Sequence, residues 1–213
     1  MSFTSCANPP ADSGHAPASF YWRSSISHVV EGVRPPLRIA AHNRARSDVS
    51  TDRTKRPIVA RLGLEHEAQL SQLLVGLDQA SRANRFGHPA SDACVQAYAK
   101  SALTTATFMA GTFGDGTLVG VVEVFVGGSD GLSEVAFAVH GDWRRCGLCS
   151  ALLEAAKEWA AQSGVKTLRM VIARNNWPMR QLADKAGARL DIDLDEIFAD
   201  IAVSSPKALE VAA

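Results

Sequence analysis

The chain reads as an α/β domain of the α+β kind, on three observations. Runs rich in β-formers alternate with segments of helical period, and two of those runs are joined by the tight-turn sequence Gly114-Asp115-Gly116. A third apolar run ends in a basic, glycine-containing turn that opens a helix at Leu148. The predicted order is β-α-α-β-β-β-α-β-α-β-β, with no internal repeat.

Each element has its own local reason. Residues 1–55 are rich in Ser, Pro, Ala, Arg and His, show neither period, and are expected to form a disordered leader. The alternative is a targeting or docking arm, because Arg34, Arg38, Arg44, Arg46, Arg53, Lys55 and Arg56 make the second half basic. Ile58–Leu62 is the first strand, and Glu65–Leu77 a helix with Leu70, Leu73, Leu74 and Leu77 on one face. Ser91 supplies the N-cap of a second helix over Asp92–Ala99. Thr104–Phe113 and Thr117–Val126 form the hairpin, and Gly127–Gly131 is a polar turn. Leu132–Val139 is the strand leading into the basic turn, and the helix Leu148–Ser163 stops at Gly164, its C′ residue. Leu152, Leu153, Ala156 and Trp159 follow helical spacing and read as core. Val165–Ala173 is the next strand, Pro178–Lys185 a short helix ending near Gly187, and Ala188–Ile192 and Ile197–Val203 the closing strands. The folded domain is expected over 56–203, with 204–213 as a tail.

Composition removes several classes of function. The 213 residues suit one domain, and 22 Lys plus Arg balance 22 Asp plus Glu, so no net field draws the protein to nucleic acid or an anionic membrane. An anion site must therefore be local. The four cysteines, Cys6, Cys94, Cys146 and Cys149, are too unevenly placed for a disulfide framework, and nothing resembles a secretory signal, which implies a cytoplasmic protein. No apolar run approaches the roughly 20 residues that span a bilayer.

The local anion site is the segment from Val139 to Leu153. Backbone N–H groups at a helix start point outward, the helix dipole adds positive potential, and Gly147 lets an anion approach the main chain. Arg144 and Arg145 add charge at its mouth. Cys146-Gly147-Leu148-Cys149 also matches the spacing of a redox pair, because the same dipole lowers a thiol pKa. A zinc site lacks a second Cys or His pair at ligand spacing. Ser150 either donates to a phosphate or caps the first turn. Trp143 and Trp177 read as packing residues, and His140 as a solvated loop histidine.

Two separated motifs give the chain a family resemblance over Arg56–Val203. Arg144-Arg145-Cys146-Gly147-Leu148-Cys149 matches a pyrophosphate signature of Gln or Arg, two residues, Gly, one residue, then Gly or Ala, with Cys149 departing at the last place. Asn175-Asn176-Trp177-Pro178 through Gly187-Ala188 matches an Asn-led helix. Together they resemble the GNAT superfamily of N-acetyltransferases. The segment Leu77–Gly87 also resembles the acceptor-side helices of the branch that includes bacterial protein-lysine acetyltransferase domains.

The resemblance implies a mostly antiparallel, twisted sheet flanked by helices, with a splayed central strand pair. It implies acetyl-CoA as cosubstrate, no metal, and direct transfer to an amine in a ternary complex. Coenzyme A would lay its pyrophosphate on the amides of Cys146, Gly147, Leu148, Cys149 and Ser150, with Arg144 and Arg145 on the phosphates. Main-chain groups of Phe137, Ala138 and Val139 would meet the pantetheine arm and thioester, and Asn176 would bond the arm or else cap its helix. Glu134 is the expected general base, in apolar company on the strand before the turn, and Glu123 on the preceding strand is the second candidate. The family often carries Tyr, as general acid, where this chain has Ala183, and Phe where it has Ala188. Ala183 cannot donate a proton, so an acyl-CoA sensor with weak catalysis is the alternative function. The acceptor is an amine-bearing small molecule or a protein lysine, and no residue indicates monomer or homodimer.

Overall fold

The structure is a computed structural model that describes residues 57–127 and 132–204. The expected leader, the polar turn beyond Gly127 and the tail beyond Ser204 lie outside the described residues. The elements are β1 (Val59–Arg61), α1 (Glu67–Val75), α2 (Gln79–Phe86), α3 (Asp92–Thr105), β2 (Phe108–Gly114), β3 (Thr117–Val126) and β4 (Leu132–Val139). They continue with α4 (Leu148–Gln162), β5 (Thr167–Ala173), α5 (Trp177–Lys185), β6 (Arg189–Asp193) and β7 (Glu196–Ala202).

Seven strands form one sheet in the order β1-β2-β3-β4-β5-β7-β6. Every neighbouring pair is antiparallel except β4 and β5. The β2–β3 turn works because Asp115 (φ 50°) and Gly116 (φ 76°) both take positive φ, as the tightest hairpins require. Between β4 and β5 the register covers only Leu132–Glu134 against Thr167–Arg169. Past Glu134 the strands part, whereas β4 stays paired with β3 through Val139. The splayed pair implied by the resemblance is therefore present, and it opens at Glu134.

The sheet buries both faces. Val122, Val124, Val135 and Val139 pack with Leu152, Leu153, Ala156 and Ala160 of α4 on one side. Met109, Val121 and Ala138 pack with Leu70, Leu73 and Leu74 of α1 and Val95, Ala99 and Ala102 of α3 on the other. Trp159 is less buried than its helical spacing suggests and stacks on Phe108, ring centroids 5.1 Å apart. Ser91 caps α3 by accepting from the Cys94 amide at 3.3 Å, and Gly164 (φ 75°) follows the end of α4, both as expected.

Three boundaries differ from the sequence reading. An extra helix, α2, precedes α3; only Phe86 of it is buried, so it has no apolar stripe to read, and it depends on Asp78, whose side chain accepts from the Ser81 amide. Thr104 and Thr105 end α3 rather than begin β2. Their hydroxyls bond back to the Ser101 carbonyl at 2.7 and 3.1 Å, a local helical alternative to β pairing. Finally, Leu64–His66 is a separate 3-10 turn, and α1 is correspondingly shorter than predicted.

Candidate active site

The turn after β4 is fixed from below. The His140 amide donates to the Val119 carbonyl at 2.9 Å, a 3-10 turn spans Gly141–Trp143, and the Trp143 indole occupies the space a side chain at Gly114 would fill. Arg145 (φ 61°) and Gly147 (φ 79°) then turn left-handed, and Gly147 is the N-cap of α4. Glycine is needed there by the backbone angle; a Cβ at Gly147 would meet no protein atom within 4 Å, so the space above it is open. The first helical bond runs from the Ala151 amide to the Gly147 carbonyl at 3.1 Å, which leaves the amides of Leu148, Cys149 and Ser150 without an intrahelical acceptor. No acidic residue stands in this first turn to oppose an anion. Ser150 is not the cap, so the capping alternative for its hydroxyl falls away.

The two arginines divide. Arg145 is exposed at the turn, whereas Arg144 reaches across to α2, its Nη2 donating to Asp78 Oδ2 at 2.5 Å and to Ser81 Oγ at 2.7 Å. The Ser81 amide and then Arg144 hold the Asp78 carboxyl down at about 2. Asp78 therefore caps α2 and ties it to the phosphate turn at once. We expect Asp78→Ala to cost about 1 kcal/mol at neutral pH, read as a lower Tm. Because the folded carboxyl titrates below its unfolded counterpart, that difference is present above the ordinary value of 3.8 and disappears as pH falls through about 2.

Cys149 is half-buried on the core side of the turn, and burial pushes its thiol up to about 11 against a smaller pull from Arg144. A redox pair requires the opposite shift. Cys146 donates its thiol to the Arg144 carbonyl at 3.4 Å, and both cysteines are free. The redox alternative is thus disfavoured by the burial of the second sulfur.

Beyond the turn, Phe137 leans onto the α4 side of the sheet and Ala138 onto the α1–α3 side. The backbone edge of Phe137–Val139 faces the gap where β5 has diverged. Glu134 and Glu123 share the α1–α3 face, since Glu134 lies opposite Phe125 and Glu123 opposite Ala136. Their surroundings differ sharply. Glu123 is 0% exposed; its Oε1 accepts from Arg85 Nη2 at 2.8 Å and its Oε2 from the Tyr98 hydroxyl in a short bond. Arg85 Nη2 also donates to Tyr98 Oη at 2.8 Å. Burial opposes the Arg85 charge, but Glu123 and Tyr98 outweigh it, while burial raises the Tyr98 hydroxyl and keeps it protonated. Both oxygens of Glu123, the second candidate base, are occupied by buried donors, an arrangement that suits a counter-ion to Arg85 better than a base.

Glu134 is partly exposed and accepts no such bonds among the described residues. Burial raises its carboxyl to about 7; Arg85 and Arg169 pull it down and Glu196 pushes it up. Arg169 itself is held bidentately by Asp200 at 2.7 and 2.8 Å.

Asn176 opens α5, its side chain makes no capping bond, and its amide donates to the Ala173 carbonyl at 2.8 Å. The capping alternative for Asn176 therefore also falls away. Ala183 is fully buried in the core, and Ala188 closes the helix through a bond from its amide to the Ala183 carbonyl at 3.0 Å. Arg85 and Tyr98 are the site residues that sequence reasoning missed. A single glutamate in the otherwise apolar run Leu118–Val126 was the available signal, because a carboxylate buried there demands a cation. Among the described residues no group of three or more His, Cys, Asp or Glu side chains could hold a metal ion, and no helix is long and apolar enough to cross a membrane.

Comparison with known proteins agrees with this geometry. The family model described as Acetyltransferase (GNAT) family matches residues 77–188. No curated protein matches the chain. Among solved structures, the GNAT domain of S. lividans PAT aligns with a TM-score of 0.60 at 18% identity, over 68% of this chain and 89% of that one. The PaiA N-acetyltransferase of Thermoplasma acidophilum in complex with coenzyme A gives 0.55 at 15% identity, over 70% and 99%. YncA of Salmonella typhimurium, a putative acetyltransferase with its cofactor acetyl-CoA, gives 0.56 at 13% identity, over 74% and 100%. At these identities the likeness is one of fold.

Proposed function

The chain belongs to the acetyltransferase (GNAT) family, and from that premise we propose that its 56–203 domain transfers an acetyl group from acetyl-CoA to a primary amine. The acceptor is a protein lysine or an amine-bearing small molecule. One observation carries the assignment: β4 parts from β5 at Glu134, so the open strand edge lies between a carboxylate at one end and the amide cradle at the other.

In this mechanism the amides of Cys146 to Ser150 hold the pyrophosphate, with Arg145 facing it and Arg144 bracing the turn against α2. Backbone groups of Phe137, Ala138 and Val139 align the thioester, and Asn176 bonds the pantetheine arm. The geometry fits such a donor, because the space above Gly147 is open and the first turn of α4 carries no opposing charge. Glu134 takes the proton of the incoming ammonium, directly or through water. The neutral amine attacks the thioester carbonyl, the C–N bond forms, and the C–S bond breaks. The attacking nitrogen then gives up its second proton, which passes through water to the departing thiolate, since Ala183 offers none. Cys146 and Cys149 form no disulfide with each other, in keeping with the reducing, cytoplasmic setting proposed for the chain.

A second reading, a catalytically weak acyl-CoA sensor, is favoured by the fully buried Ala183. Thiol release from acetyl-CoA, measured with a panel of amines, separates the two. Amine-dependent release is expected; acetyl-CoA binding in calorimetry without it would assign the sensor, and no binding would remove both.

A further inference from the structure

Resting on the assignment of Glu134 as base, we propose that Arg85 is a positioning residue. Glu123 and Tyr98 lock its guanidinium beneath β4 as a fixed positive charge that holds Glu134 toward its carboxylate form. Three observations support this. First, the lock is rigid: Arg85 is 6% exposed, its Nη2 serves both Glu123 and Tyr98, and its guanidinium lies 5.3 Å from the ring centroids of Phe86 and Tyr98. Second, it is close: Glu123 lies opposite Ala136, two positions from Glu134 on the same face, a step of about 7 Å along a strand. Third, its donors are not all engaged, because Arg85 Nε is buried with no hydrogen-bond partner among the described residues.

The charges felt by Glu134 are Arg85 from α2, Arg169 from β5 and Glu196 from β7; Asp200 of β7 pairs with Arg169, and Glu123 of β3, which with Tyr98 of α3 holds Arg85, shares the sheet face. Arg169 is paired with Asp200 and Arg85 with Glu123, so each cation is partly offset by its own carboxylate, and Glu196 opposes ionisation. Arg85 is the cation on the helical side. Burial raises the Glu134 carboxyl, and Arg85 pulls it back toward the ionised form that a base needs. A buried ion pair adds little net stability, so the triad of Arg85, Glu123 and Tyr98 is better explained by where it fixes the guanidinium than by the fold it supports.

The test titrates Glu134 in the full chain, carrying isotopically labelled glutamate, by NMR from about pH 4 to about pH 9. The resonance is identified by its loss in Glu134→Gln. Glu123→Gln keeps the guanidinium and removes its counter-charge, so the Glu134 midpoint is expected to fall by about one pH unit. In the Arg85→Gln/Glu123→Gln double variant both charges are gone, and the midpoint is expected to rise above the parent by about one pH unit. The opposite signs separate an electrostatic role from a structural one, and the sign of either variant alone decides if the other does not fold. Midpoints that stay at the parental value, or that move in the same direction, overturn the proposal. The titration needs no acceptor or turnover. A Glu134→Gln protein that transfers acetyl at the parental rate removes the base itself, whatever the midpoints show.

Discussion

Glu134→Gln is expected to lower amine-dependent turnover by roughly 10²- to 10⁴-fold, the usual span for losing a positioned proton acceptor. The parent should show an acid limb in kcat/KM with a midpoint near 7, where burial has raised this carboxyl. The variant's residual rate should lack that limb. Stability should change in the opposite sense. Between an ordinary value of 4.5 and the folded value of about 7, the native state keeps a proton that the unfolded chain has released. Stability therefore falls as pH rises across that interval and stays low above it. A glutamine has no charge to bury, so the variant should unfold later than the parent at about pH 8, by on the order of 3 kcal/mol. Below about pH 4.5 that advantage should vanish. A solvated strand glutamate would show neither effect, so unchanged turnover together with a pH-independent Tm difference would remove Glu134 from the mechanism.

How much of this site the sequence made legible follows from the range of each interaction. The turn from His140 to Ser150 was readable because its chemistry is local: strand end, left-handed glycine and helix start lie within a few residues of one another. The same holds for Ser91, which caps within its own first turn. By contrast, Arg85 and Glu123 are 38 residues apart and Arg144 and Asp78 are 66 apart. Nothing in one stretch signals either pairing. The register of β3 on β4 is what puts Glu123 on the face of Glu134, and sequence alone could not tell a base from a buried counter-ion. That distinction depends on Tyr98 and Arg85, delivered by α3 and by a helix with no apolar stripe. Cys149 shows the same limit. The dipole argument lowers a thiol at a helix start, yet the side of the helix it occupies, set by packing onto the core, decides the outcome.

Arg145→Glu is expected to weaken acetyl-CoA binding by about 100-fold in calorimetry. A charge-assisted contact to phosphate contributes about 1.5–3 kcal/mol, and a carboxylate in its place adds repulsion at the cradle's mouth. The loss should shrink at high salt, because Arg145 is exposed and its field is screened. Backbone geometry allows the contribution to binding to be separated from the contribution to folding. Arg145 sits at φ 61°, a conformation that costs an L-residue roughly 1–2 kcal/mol. Arg145→Gly should relieve that strain and unfold at higher temperature, yet bind acetyl-CoA about 10-fold more weakly for want of the guanidinium. A protein that gains stability while losing ligand marks a residue kept for the ligand, since strain held at one position persists only where something else is gained. If Arg145→Glu bound acetyl-CoA as the parent does, the diphosphate would have to lie elsewhere, and the amides at the start of α4 would have no anion to serve.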